Sequence, residues 1–187
     1  MHTNALIFFA STILLSAVHN AKCSRSENQC VDYYQTGNDF DLKTLAGVRW
    51  YVVYLWPPSA RTRAACEAIN FNVLSRQETE ATFSDCRGER PDGAVIHATY
   101  HNTAGKLTSV TYYGEEEVKS LFRGCDRIYK YIFLQINENY VLGINCSSMG
   151  RGILLAKFLP TREQVDATVR DIEIMKGRDG SPDCNLP

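Results

Sequence analysis

A series of short runs rich in β-branched and aromatic residues, each followed by turn-forming residues, constrains the fold most strongly. Runs of this kind recur at roughly the 8–12-residue spacing that is typical of antiparallel sandwiches and barrels. Eight runs are strand candidates, at 50–56, 66–74, 79–84, 94–101, 106–113, 128–136, 140–146 and 152–159. The pattern predicts one all-β domain.

One amphipathic helix is predicted after the last run. Pro160 ends the final strand candidate, and Thr161 forms a capping-box pattern with Gln164. An apolar stripe at helical spacing follows, formed by Val165, Val169 and Ile172. Gly177 is the expected end of the helix. Because the strands supply the core, we expect this helix to pack against the outside of the sheet.

The first 21 residues have the features of a secretory signal peptide. Residues 5–18 are apolar and uncharged, and this run is shorter than the about 20 residues that span a bilayer. Small residues follow, with cleavage expected after Ala17 or Ala21; a buried N-terminal helix is the alternative. We predict a signal peptide at 1–21, a mature domain at 22–187, secretion and no membrane span.

Charge and chemistry exclude several classes of function. The 20 basic and 21 acidic residues leave a net charge of −1, whereas nucleic-acid binders normally have a basic surplus. No group of residues combines a nucleophile, a base and an oxyanion site, so we predict no enzyme activity. His97 and His101 lie in one strand candidate with Cα atoms about 13 Å apart, too far to share an ion. We expect these histidines to be solvated or barrel-lining, and we predict no metal site.

The seven cysteines indicate disulfides rather than metal ligands, because an exported chain meets an oxidising compartment. No Cys-x-x-Cys pair is present, which argues against zinc-ribbon and thioredoxin-like sites. The sequon that begins at Asn145 lies in a strand candidate next to Cys146, and its use is left open.

Residues 38–54, NDFDLKTLAGVRWYVVY, carry a family resemblance. They resemble the lipocalin signature, in which an Asp-Phe-Asp-Leu-like lead precedes Gly-x-Trp. The lead is similar to that of the insecticyanin and bilin-binding lipocalins of insects. Two residues separate Gly47 from Trp50, which is similar to the Gly-x-x-Trp variant of the nitrophorin and triabin type. Lys157 stands where the family usually has an arginine near the end of the last strand.

The resemblance implies an eight-stranded antiparallel up-and-down barrel with one C-terminal α-helix packed outside. It implies a closed floor formed by Gly47, Trp50 and Lys157, with the cation stacked on the indole. It also implies the disulfides Cys30–Cys146 and Cys66–Cys184. Cys86 and Cys125 could then form a third bridge, which leaves Cys23 unassigned.

The interior of such a barrel holds one small ligand. If Trp50 faces inward, strand alternation places Tyr54 and Trp56 inside as well. The predicted ligand-binding wall is aromatic and consists of Tyr54, Trp56, Phe71, Tyr100, Tyr112, Tyr131 and Phe133. The alternative is that some of these side chains pack under the helix.

Aromatic walls with phenol hydroxyls suit a flat apolar ligand that has polar edges. We therefore predict a secreted carrier of a small hydrophobic molecule, with a non-covalent bilin pigment as one candidate. The alternative is a salivary-type lipocalin that binds a protein, such as a protease, through the basic loops 57–63 and 87–92, or that scavenges a biogenic amine.

In nitrophorins a histidine in an early strand binds haem iron. Alignment puts Ser84 at that place, so we expect no haem bound in that manner.

Overall fold

The computed structural model describes Cys30 and residues 40–86, 91–102 and 104–187. The predicted signal peptide at 1–21, the start of the mature chain and Cys23 lie outside the described residues.

Eight antiparallel strands form a barrel in which each strand pairs with the next one along the chain. They are β1 (Arg49–Trp56), β2 (Ala68–Val73), β3 (Ile96–His101), β4 (Leu107–Tyr113), β5 (Val118–Phe122), β6 (Ile128–Gln135), β7 (Tyr140–Asn145) and β8 (Arg151–Ala156). β1 pairs with both β2 and β8, which closes the sheet, and a short β9 (Ser181–Pro182) pairs with β1. The predicted up-and-down barrel is confirmed, and this is the architecture that the lipocalin resemblance implies.

The predicted strand at 79–84 is wrong, because a helix occupies this part of the chain. Helix α1 (Arg76–Thr82) begins at Ser75, whose side chain accepts a hydrogen bond from the backbone N–H of Glu78. The Glu78 carboxylate in turn accepts from the Ser75 backbone N–H at 2.7 Å. This reciprocal capping box satisfies two donors of the first turn and starts a helix.

β5 is a strand that the sequence pattern did not predict. The run is only five residues long, and Lys119 interrupts its apolar alternation. Lys119 is nevertheless buried, and its ammonium donates to the backbone carbonyl oxygens of Glu115, at 3.0 Å, and Glu116. The predicted number of eight strands therefore holds although one predicted strand is a helix and one real strand was missed.

The segment that follows helix α1 packs on the outer face of β4 and β5 through Phe83. The Phe83 ring, just after the helix, has its centroid 5.4 Å from that of Tyr113 and 4.5 Å from that of Phe122. The Cys86–Cys125 disulfide joins this segment to the loop between β5 and β6. The barrel thus carries a second outer helix besides the predicted C-terminal one.

The C-terminal helix α2 (Arg162–Arg170) begins at the predicted capping box of Thr161 and Gln164. Val165 is fully buried against the outer face of the barrel. The helix ends earlier than predicted, and a separate 3₁₀ turn (Glu173–Met175) follows it. Gly177, with φ +77°, comes after that turn rather than at the end of α2.

A bulge in β1 changes which side chains face the interior. Val52 pairs with Leu155 and Tyr54 with Leu154, so Val53 is an extra residue in β1. An extra residue reverses the facing of all later side chains. The expectation that Tyr54 and Trp56 face the interior is therefore wrong: both belong to the outer cluster, with Val165 of α2.

The described part of the chain contains three disulfides. Cys30–Cys146 and Cys66–Cys184 are the two pairs that the resemblance implies, and Cys86–Cys125 is the third. The first ties the N-terminal segment to the end of β7, and the second ties the C-terminal tail to the residues that precede β2.

Candidate ligand site in the barrel interior

The floor of the barrel is closed by a 3₁₀ turn (Leu42–Leu45) and by Trp50. Trp50 is only 1% exposed, and its indole N–H donates to the carbonyl oxygen of Leu45 at 3.0 Å. The Lys157 ammonium lies 5.5 Å from the centroid of the indole ring. Gly47, at φ +75°, takes a left-handed conformation that favours glycine and lets the chain turn from the floor into β1.

Aromatic side chains fill the interior above the floor. Tyr112, Tyr131 and Phe133 are buried, and their ring centroids lie 4.9–5.2 Å from one another. Phe71 is also buried, 6.4 Å from Tyr112. Tyr100 is partly buried and packs against the same cluster. Five of the seven predicted wall residues thus face the interior, and their contact with a ligand remains a prediction.

Gly143 in β7 makes room for the Tyr131 phenol. A Cβ atom at Gly143 would lie 2.8 Å from both Cε1 and Oη of Tyr131. Any larger residue would displace the phenol. Gly143 was not among the predicted site residues, although a glycine inside a strand is a recognised sign of close approach.

The upper part of the interior is partly exposed to solvent. Four half-buried apolar and aromatic side chains pack there on the buried cluster, namely Leu55, Tyr100, Tyr129 and Ile153. Leu55 faces inward because of the bulge in β1. Arg123, just beyond β5, donates from Nη2 to the Tyr100 hydroxyl oxygen at 3.3 Å. Arg123 was not among the predicted site residues, because no strand was predicted between residues 113 and 128.

The buried phenols remain neutral at physiological pH. Burial raises the pKa of Tyr112 and of Tyr131, and the neighbouring Tyr100 raises both further. The Arg123 guanidinium acts in the opposite direction on both groups. These neutral phenols can therefore exchange hydrogen bonds with a ligand. They do not ionise to a phenolate that could act as a base at this pH.

The outer pair Tyr54 and Trp56 has a packing role. Their ring centroids are 4.6 Å apart, and the tail crosses over them at Gly180. A Cβ atom at Gly180 would overlap the Tyr54 ring. These rings therefore join β1 to the tail and to α2.

The two histidines of β3 point to the outside of the barrel. In β3, Ile96, Ala98 and Tyr100 pack in the interior cluster, so His97 and His101 face outward. His97 Nδ1 is 3.2 Å from Thr111 Oγ1, and His101 Nδ1 is 3.4 Å from Glu67 Oε1.

Ser84, which aligns with the haem-binding histidine of nitrophorins, lies in the turn after α1 and is exposed. Within the described ranges, no group of three or more His, Cys, Asp or Glu residues could hold a metal ion.

The basic loop 57–63 is only partly free to bind a partner. Arg63 pairs with Glu67 at 2.9 Å and with Asp183 at 3.4 Å, whereas Arg61 is exposed. Residues 87–90 of the second basic loop lie outside the described residues.

A groove of about 870 Å³ lies outside the interior, between α1 and the floor. Its apolar lining includes Val73, Phe83 and Val95. Two cations line it, Lys43 and Arg76, and Arg76 is paired with Glu80 at 2.8 Å. Phe83 is the aromatic residue in the lining of this groove, whereas Tyr112, Tyr131 and Phe133 cluster in the barrel interior, so the interior is the candidate site.

No helix in the described part of the chain is long and apolar enough to cross a membrane.

Comparison with protein-family models gives no match, and neither does comparison with curated proteins. Among solved structures, the chain is similar to lobster apocrustacyanin A1, with 16% identity and a TM-score of 0.45 over 89% of both chains. It is similar to apocrustacyanin C2 with the same identity and TM-score over 88% of both chains.

Proposed function

We propose that this protein is a secreted, non-enzymatic carrier that holds one small hydrophobic molecule in the upper half of its barrel. The observation that carries this proposal is the aromatic interior, with buried phenols below and half-buried Tyr100 and Tyr129 above. Three disulfides and the apolar run at 5–18 support secretion.

The shape of the interior limits where a ligand can lie. The lower half is occupied by Trp50, Phe133 and their neighbours, which pack on one another. The apolar surface available to a ligand belongs to the half-buried side chains Leu55, Tyr129 and Ile153. A flat conjugated molecule, for example a bilin, would stack on these walls and exchange hydrogen bonds with the phenols.

Fluorescence titration tests the carrier function. We expect biliverdin and all-trans-retinol to quench the intrinsic fluorescence of the mature protein with one-to-one stoichiometry at micromolar or lower concentration. Tyr129→Ala should weaken binding, because it removes an interior wall. Tyr54→Ala is the matched control, since Tyr54 is equally half-buried but packs on the outer face. Equal weakening by the two folded variants, or no binding of either ligand, would exclude the proposal.

A salivary-type interaction protein is the second candidate, and exposed Arg61 in loop 57–63 is the observation that favours it. An arginine presented on an exposed loop suits the specificity pocket of a trypsin-like protease. This candidate requires that the protein inhibit trypsin and that Arg61→Ala abolish the inhibition. Amine scavenging is less favoured, because Glu67 at the open end is already engaged by Arg63 and by the His101 backbone N–H.

A further inference from the structure

We propose that Arg123 and Tyr100 form an anion subsite at the open end of the barrel, and that the ligand is an apolar acid whose carboxylate binds there. This inference rests on the carrier function proposed above and specifies the chemical class of its ligand.

The strand register places the Arg123 side chain on the interior side. Leu121 of β5 packs in the interior cluster, and Arg123 follows it by two residues. The backbone N–H of Arg123 donates to the carbonyl oxygen of Arg127 at 3.1 Å, so the ladder between β5 and β6 continues beyond Phe122. The guanidinium therefore lies over the barrel opening rather than on its outer wall.

The contact between Arg123 and Tyr100 leaves donors for an anion. Arg123 Nη2 donates to the Tyr100 hydroxyl oxygen, so the Tyr100 O–H can donate to another acceptor. A guanidinium has five N–H donors, and this contact uses one of them. Among the described residues, no carboxylate lies within ion-pair distance of Arg123. A carboxylate that receives both kinds of donor would be held by charge-assisted hydrogen bonds.

The positive charge of Arg123 acts on the interior as well as on solvent. Its guanidinium contacts Tyr100, which packs on the same cluster as Tyr112 and Tyr131. It also opposes the rise in pKa that burial gives these two phenols. A negative group at the open end would thus meet a cation and neutral phenols.

The loop that carries Arg123 is held in place. Besides the Arg123–Arg127 hydrogen bond, the backbone N–H of Arg127 donates to the carbonyl oxygen of Gly124 at 2.9 Å. The Cys86–Cys125 disulfide ties the same loop to the segment after α1. A preorganised cation loses less conformational entropy when it binds a ligand.

Two matched ligands test the subsite: all-trans-retinoic acid and its methyl ester, titrated against the full mature, disulfide-bonded protein. We expect the acid to bind about 10- to 100-fold more tightly than the ester, which is the range for hydrogen bonds to a charged group. Arg123→Met should remove this preference and leave the affinity for the ester within about twofold of the wild type. Arg127→Met is the matched control, because Arg127 lies in the same loop but beside Asp126, at 3.6 Å.

Each outcome separates the subsite from the carrier function. Equal binding of acid and ester by the wild type, or a preference for acid that survives in folded Arg123→Met, would overturn the subsite and leave the carrier function intact. Failure of both ligands to bind would overturn the subsite, while the titrations with biliverdin and all-trans-retinol decide the carrier function separately. Thermal unfolding of Arg123→Met verifies that the variant is folded, and Arg123→Lys, which keeps the charge, should retain part of the preference.

Discussion

Trp50 links the floor to the barrel, and its removal should cost much of the stability. The side chain is buried and donates a hydrogen bond to the 3₁₀ turn. Trp50→Ala should lower the free energy of unfolding by about 3–5 kcal/mol, as for other buried large aromatics. Lys157→Ala should cost only about 0.5–1 kcal/mol, because the ammonium is exposed above the ring. Urea unfolding followed by circular dichroism measures both; Trp50→Ala as stable as the wild type would contradict the closed floor.

Tyr112 and Tyr131 make stability depend on alkaline pH. Burial raises the pKa of both phenols above about 10, so the folded state favours their neutral form. This contribution is complete below pH about 10 and is lost as the pH rises from there through the raised pKa values of the folded state. Absorbance titration at the phenolate band should show two tyrosines that ionise only on unfolding. Ionisation of every tyrosine near pH 10 in the folded protein would be inconsistent with the packed interior.

At the scale of elements, α1 depends on attachments outside the helix itself. None of its residues is buried, and Phe83 with the Cys86–Cys125 disulfide holds it to the barrel. The double variant Cys86→Ala/Cys125→Ala should lose about 4 kcal/mol, the chain-entropy value for a loop of 39 residues. Hydrogen exchange should then show α1 opening well before the barrel strands. The prediction fails if the exchange of α1 amides is unchanged.

Local sequence signals compete in the segment that forms α1. Thr79, Thr82 and Phe83 have high β propensity, which favoured a strand at 79–84. Ser75 and Glu78 carry the opposite signal, a capping box, and the structure follows it. The same motif at Thr161 was recognised and correctly placed the start of α2.

At the scale of the whole molecule, the barrel separates its histidines from its interior. His97 and His101 both face outward from β3. Added haem should therefore show no six-coordinate, histidine-ligated Soret spectrum. His97→Ala and His101→Ala should leave any haem spectrum unchanged. A histidine-ligated spectrum that either substitution abolishes would show that β3 is misplaced.

The sequence by itself determined seven of the eight barrel strands, the start of α2 and the aromatic character of the interior, because these follow from local spacing and composition. The resemblance added the closed floor and two disulfides. Tertiary structure decided the rest. The bulge at Val53, which moves Tyr54 and Trp56 to the outer face, depends on the pairing of β1 with β8. The contact of Arg123 with Tyr100 joins residues 23 apart. It exists because β3 and β5 both pair with β4, which brings their ends to one opening of the barrel, and no local pattern encodes that meeting.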